Sequence, residues 1–168
     1  MTPTGPEELC DSIRDRLVGA LTLATGDRAV GEELAQEALV RAWQRWGQVS
    51  RMDSPEAWTF RVGFNLAGSW RRRAAAERRA HRRRGVPAIT HVDPDGADVE
   101  AVRVAVAGLP PRQRAVIVAR FYLGHDVAGT AALLDCAEGT VKAATSHALA
   151  NLRRSGLVHD PIEEVTAP

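Results

Sequence analysis

The chain has 168 residues, of which 45% are hydrophobic and 26% charged. That is enough for one ordinary globular domain or two small ones, and it excludes a disordered chain. The net charge of +1 hides an imbalance. Positions 71–84 carry Arg71, Arg72, Arg73, Arg78, Arg79, Arg82, Arg83 and Arg84 against a single Glu77, a segment of +7 in a chain whose remainder is −6. Such a local basic run says more about partners than the total does. Cys10 and Cys136 lie too far apart in sequence to suggest a disulfide framework or a metal site, and a reduced, cytoplasmic setting fits them. His81, His91, His125, His147 and His159 are scattered, and none pairs with Cys, Asp or Glu at ligand spacing. No phosphate-binding loop, nucleophile elbow or dinucleotide fingerprint occurs, so neither an enzymatic activity nor a cofactor is expected. Met1–Glu8 lacks the pattern of a signal peptide, and no apolar run approaches the roughly 18 residues of a membrane span.

Helical periodicity recurs throughout and strand-type alternation persists nowhere, which predicts an all-α protein. A first helix is expected from about Glu7 to Thr25, ended near Gly26, and a second from about Arg28 to Trp46 with Asp27 as its N-cap. In the second, Leu34, Ala38 and Ala42 recur at four-residue spacing, as do Ala35, Leu39 and Trp43, giving one wide apolar face. Ser54-Pro55-Glu56 opens a third helix that runs through Arg73 and beyond: Ser caps, Pro takes the first position and Glu favours the amino end. Gly85 to Asp98 is rich in Gly, Pro and Asp and has no period; Asp93, Asp95 and Asp98 lack a calcium-loop pattern and read as solvated acids. This linker splits the chain into two small domains, 1–84 and 98–155, with the linker at 85–97 and a loose tail at 156–168. In the second domain a short helix carrying Val99, Val102 and Val106 breaks at Gly108-Leu109-Pro110-Pro111. Pro111 opens the next, Arg112 to Leu123, and Gly124 closes it. Asp126 caps a helix through Leu134, in which Val127, Ala131 and Leu134 face inward. The last helix runs from Glu138 to about Arg154, with Val141, Ala144 or Thr145, Ala148 and Leu152 inward.

Three constellations carry candidate function, each with a plainer alternative. The segment from Leu133 to Leu149 has the grammar of a helix-turn-helix, with Asp135 at a turn position that favours a left-handed backbone. Thr140, Lys142, Ala143, Ser146, His147 and Ala150 face outward, small or hydrogen-bonding groups suited to a DNA groove, with Lys142 able to neutralise phosphate. The alternative is an ordinary helical hairpin. The arginine run is either a phosphate-binding stripe or a solvated helix end. Trp58, Phe60, Phe64 and Trp70 just before it are either rings for unstacked bases or core. The face of Glu32, Glu33, Gln36 and Glu37 is either a protein-docking surface or compensation of the helix dipole.

Together these residues resemble an extracytoplasmic-function sigma factor of the sigma-70 family, of the kind found in actinobacteria. The amino-terminal resemblance lies in Thr25-Gly26-Asp27-Arg28, the run from Glu33 to Trp43, Pro55-Glu56-Ala57-Trp58 and Asn65-Leu66-Ala67. The carboxy-terminal resemblance lies in the run from Leu109 to Val116 and in Gly139-Thr140-Val141-Lys142. It covers roughly residues 10–80 and 98–153. The resemblance implies two helical domains, a sigma-2-like bundle and a sigma-4-like helix-turn-helix. It implies that Glu33, Gln36, Glu37 and Arg41 dock on the clamp helices of core RNA polymerase. Trp58, Arg61, Asn65, Arg71, Arg72 and Arg73 would face the −10 element, whose flipped base is held by stacking and edge hydrogen bonds. Thr140, Lys142, Ser146 and His147 would read the −35 element, with Arg120 on a phosphate. The expected function is to direct the polymerase to promoters and open the −10 strands; the expected partners are core polymerase and promoter DNA, and an anti-sigma factor is compatible with the pattern.

The chain departs from the family pattern in places. Ala143-Ala144 stands where Ser-Arg is frequent, His147 where Arg is common, Asp135 for Gly, Gly129 for Glu and Ser69 for Asp. These changes remove charge from the −35 face, to which His147 adds positive charge only when protonated. Two other readings use fewer of these residues: a polymerase-independent regulator relying on the helix-turn-helix alone, and a helical protein-interaction module without DNA binding.

Overall fold

Helix α1 (Pro6–Thr25) starts with Pro6 in its first turn and ends at Gly26, whose φ of 78° turns the chain and returns its N–H to the Thr22 carbonyl. The structure, a computed structural model, describes residues 3–84 and 97–155, with the side chains of 81–84 and 97–100 outside the description. Within it lie α2 (Arg28–Gln44), the single turn α3 (Trp46–Val49), α4 (Pro55–Arg84), α5 (Ala97–Gly108), α6 (Pro111–Ile117), α7 (Val127–Leu134) and α8 (Glu138–Arg154). Among the described residues there is no strand. The expected all-α class therefore holds. The linker acids Asp93 and Asp95 and the tail 156–168 lie outside the described residues.

The capping residues act as their chemistry requires. Asp27 accepts from the Val30 amide at 3.1 Å, Ser54 Oγ from the Ala57 amide at 3.0 Å, and Asp126 from the Gly129 amide at 2.7 Å. Each satisfies a donor that the first turn leaves without a partner. Helix α2 ends two residues before the expected Trp46, which opens α3 instead. The helix expected from Arg112 to Leu123 is α6 followed by a π turn at Val118–Tyr122. The wider turn inserts an extra residue and re-aims the side chains after it.

The core of the first domain is built on α1. Leu9, Ile13, Leu17, Ala20, Leu21 and Ala24 form its buried stripe, against Ala35, Ala38 and Ala42 of α2 and Phe60, Phe64 and Ala67 of α4. Each fully buried leucine here contributes about 1.5–3 kcal/mol through removal from water. α1 and α2 approach so closely that a Cβ on Gly31 would stand 2.6 Å from the Thr22 main-chain nitrogen. Backbone cannot yield at that distance, so the position requires glycine. In the second domain, Val116, Ala131, Val141 and Ala144 pack between α6, α7 and α8, while Leu109, Ile117, Ala148 and Leu152 close the other side of α8. The inward set expected for α8 is buried, with Ala144 and Thr145 both included.

The two domains share one apolar cluster. Val106, Ala115, Val118, Ala119, Leu123 and Leu133 of the second join the α1–α2–α4 core of the first. Trp43 departs from its expected place on the apolar face of α2: its side chain is 48% exposed. The α1 and α4 contacts cover the Leu34–Ala38–Ala42 stripe, whereas Trp43, turned away from it, lines a groove between α1 and α2.

Candidate nucleic-acid and polymerase interface

Three surfaces gather the residues that the sequence singles out. On α2, the 3.6-residue period places Glu33, Gln36, Glu37, Val40 and Trp43 along one outward face, with Arg41 at its edge. All six are exposed. Arg41 Nε donates to Glu37 Oε1 at 2.7 Å, an i, i+4 pair that fixes both side chains but is worth only a few tenths of a kcal/mol in water. Two exposed apolar side chains beside acids and an amide make a mixed face of the kind that docks protein.

On α4, Trp58, Arg61, Asn65 and Arg72 fall on one line by the same period. Arg61, Asn65 and Arg72 are exposed and Trp58 is half-buried against the core. Arg72 donates to Ser69 Oγ at 3.0 Å, and Arg73 is exposed a quarter-turn away. Phe60 and Phe64 are buried, which resolves their open role in favour of core; Trp70, like Trp58, is only partly buried against that core. Arg71 belongs with the buried phenylalanines: Phe60, Phe64, Ala67 and Arg71 form the inward stripe. Its guanidinium reaches the carbonyls of Ala24 at 3.4 Å and Pro111 at 3.1 Å. Burial, and secondarily the nearby Arg114 guanidinium, lower its pKa from the ordinary arginine value.

On α8, Lys142, Ala143, Ser146, His147 and Ala150 are exposed and Thr140 is half-exposed. The turn before it is made by Asp135 at φ 50°, ψ 59°, the left-handed position expected for it, with its N–H on the Ala131 carbonyl. Asn151 Nδ2 donates to Gln113 Oε1 at 2.7 Å, tying α8 to α6. Lys142 Nζ stands 3.8 Å from the Glu138 carboxylate, a loose surface pair that leaves its charge available to phosphate. Arg120, in the π turn, lies over the Phe121 ring at 5.7 Å, and its buried Nε has no hydrogen-bond partner.

Sequence reasoning missed Arg114. Its guanidinium bonds the carbonyls of Ala24 at 3.4 Å, Thr25 at 3.2 Å and Leu109 at 3.1 Å, and also that of Ala107. Its signal was present: Arg114 precedes buried Val118 by four residues, a charge on an inward-facing position. Among the described residues no group of His, Cys, Asp and Glu is placed to hold a metal ion, and no helix is long and apolar enough to cross a membrane.

Comparison with known proteins gives the family of the chain. The family model for sigma-70 region 2 matches residues 9–77, and that for sigma-70 region 4 matches residues 99–152. The ECF RNA polymerase sigma factor SigL of Mycobacterium tuberculosis is 34% identical over 134 residues, covering 77% of this chain and 76% of SigL. The RNA polymerase sigma-E factor of Streptomyces coelicolor is 27% identical over 154 residues, covering 92% of this chain and 87% of that protein. The fold is that of the sigma factor RpoE from Bartonella quintana, solved in complex with the anti-sigma factor NepR: TM-score 0.75 at 23% identity, over 92% of this chain and 98% of RpoE. With α1–α4 under the region 2 match and α5–α8 under the region 4 match, the chain belongs to the extracytoplasmic-function sigma factors of the sigma-70 family.

Proposed function

We propose that this sigma factor binds core RNA polymerase through the α2 face, holds the opened −10 strand on α4 and reads the −35 duplex with α8. The observation that supports this most is the presence of three separately exposed faces, each of different chemistry, on one chain. Glu33, Gln36, Glu37 and Arg41, with Val40 and Trp43, form the docking face. Trp58, Arg61, Asn65 and Arg72 supply a ring, an amide and cations to an unstacked strand, with Arg73 beside them; Arg71, turned inward onto main-chain carbonyls, stands off this face. Thr140, Ser146 and His147 offer hydrogen bonds to base edges, while Lys142 and Arg120 serve phosphates.

The protein itself performs no covalent chemistry in this reading; the polymerase does. It acts in the cytoplasm, where polymerase and promoter are. RpoE of Bartonella quintana is solved with an anti-sigma factor, and a partner of that kind covering these faces belongs to the same reading. The test is run-off transcription with purified core polymerase on templates carrying randomised −35 and −10 elements. The wild type is expected to initiate on a subset of templates, and Glu37→Arg to lose at least tenfold of that activity with the helix content unchanged. No initiation by the wild type overturns the proposal.

A further inference from the structure

The pair Ala143-Ala144 is one of the places at which the chain departs from the pattern of its family, and α8 treats its two members differently. Ala144 is buried in the core between α6, α7 and α8, whereas Ala143 is exposed. The roll of α8 about its axis is fixed from inside. Val141, Ala144, Thr145, Ala148 and Leu152 are buried, Thr145 Oγ1 donates to the Val141 carbonyl at 2.8 Å, and Asn151 Nδ2 donates to Gln113 Oε1 at 2.7 Å. Ala143 is therefore held on the outward face.

Ala143 lies in the second turn of α8, at the middle of that face. Helical period makes Thr140, three residues before it, and Ser146 and His147, three and four after it, its neighbours on the surface. A recognition helix presents its amino-terminal turns to base edges, so this is the part of α8 that enters a groove. Thr140, Ala143 and Ser146 are all short, which lets the backbone come close to the groove floor. The three polar neighbours can exchange hydrogen bonds with bases. The Ala143 side chain has neither donor nor acceptor, and a polar base edge set against it would lose its water without replacement. The base-edge group of the major groove that matches a methyl is the C5-methyl of thymine. Lys142, about a quarter-turn away and 3.8 Å from the Glu138 carboxylate, is placed for phosphate and carries no sequence information.

We propose that Ala143 is a specificity-determining residue of the −35 reader, its methyl packed against the methyl of one thymine. The inference rests on the −35 assignment above. At one position of the element this chain then prefers thymine for a reason that no hydrogen bond supplies. Taking the methyl from that thymine removes the preference while every hydrogen-bonding group of the base pair stays in place.

The test uses the full chain with core polymerase. Templates with a randomised −35 element are first selected by the wild type. Each thymidine of the selected element is then replaced singly by deoxyuridine, which removes only the C5-methyl, and competition binding is measured. The wild type is expected to lose about threefold at one thymidine, the effect of burying one methyl group. In Ala143→Gly and Ala143→Gln that loss should shrink below about 1.5-fold, with sensitivity at other thymidines unchanged. Ala143→Gln should also move the preference at the same position from thymine to adenine, whose N6 and N7 an amide grips in bidentate fashion. Glycine lowers helix propensity, so circular dichroism accompanies that variant, and glutamine, a good helix former, carries the result if the glycine variant does not fold. A selected element without thymine, no methyl-dependent thymidine in the wild type, or a loss that persists in both variants overturns the proposal. Absence of any −35 preference sinks the −35 assignment together with it. A −35 preference without methyl dependence sinks the alanine contact alone, so the two failures are distinct.

Discussion

Arg71 and Pro111, forty positions apart, are joined by a hydrogen bond of 3.1 Å between the Arg71 guanidinium and the Pro111 carbonyl. The bond crosses from region 2 to region 4. Beside it Arg114 makes the return crossing, from α6 to the carbonyls of Ala24 and Thr25 at the end of α1. Two cations thus stand near each other, and neither pairs with a carboxylate among the described residues. The acceptors of Arg114, and Ala24 of Arg71, sit at the carboxy-terminal ends of α1 and α5, where unsatisfied carbonyls and the helix dipole favour positive charge; the Pro111 carbonyl belongs to the first turn of α6.

Removing Arg114 should therefore be felt in both regions. Arg114→Met leaves the carbonyls of Ala24, Thr25, Ala107 and Leu109 without this donor, and a loss of about 2–3 kcal/mol is expected in urea unfolding followed by tryptophan fluorescence. Arg114→Lys should recover little, because an ammonium cannot fork between two helix ends. Burial lowers the pKa of Arg71 and Arg114 in the folded state. The unfolded chain then binds more protons only close to the ordinary arginine range, and stability rises with pH only there. Both groups are charged in both states near neutrality, so they contribute no pH step between about pH 6 and pH 9.

Asp135 holds the turn of the helix-turn-helix at φ 50°. A side chain in this conformation carries a steric penalty that glycine avoids, although glycine also frees the unfolded chain. Asp135→Gly is expected to raise stability by about 0.5 kcal/mol, and Asp135→Val to lower it by about 1–2 kcal/mol because a branched Cβ crowds the following carbonyl. Thermal unfolding of the two variants side by side checks the sign of each.

Lys142 is the one lysine in the chain and lies on the outward face of α8. If it contacts phosphate, Lys142→Ala should weaken duplex binding about equally on all sequences and reduce the slope of log K against log salt by about 1. Ser146→Ala should instead alter which −35 sequences are preferred and leave the slope unchanged. Titrations of the transcription-competent complex at several salt concentrations separate the two behaviours.

Trp43 is 48% exposed, so its truncation removes little core. Trp43→Ala is expected to change unfolding stability by less than about 1 kcal/mol. If the α2 face docks on core polymerase as proposed, the affinity should fall at least tenfold, because an exposed aromatic in a docking face carries a large share of binding. A large loss of stability with unchanged affinity would assign Trp43 to the fold.

The local features were legible because they depend on neighbours in sequence. Asp27, Ser54 and Asp126 cap helices through hydrogen bonds that span three residues, and Asp135 takes the left-handed turn for reasons within its own backbone. The outward face of α8 followed from a period of 3.6 with Val141, Ala148 and Leu152 inside. The helix from Arg112 was legible only to Ile117. The π turn that follows is part of a seam with α1, whose packing exceeds what a few residues of local preference decide.

The sequence by itself therefore determined most of the helices, the caps at Asp27, Ser54 and Asp126, and the residue types on the three outward faces, since each follows from short-range hydrogen bonding and helical period. Only the tertiary structure decided which individual side chains stand on those faces. It showed Trp43 exposed, although the period of α2 placed it on the apolar face, and it turned Arg71 inward onto main-chain carbonyls. It also seated Tyr122 on Gly19, more than a hundred residues away in sequence. Those outcomes depend on how two helical surfaces fit together, a property of shape that no single helix carries.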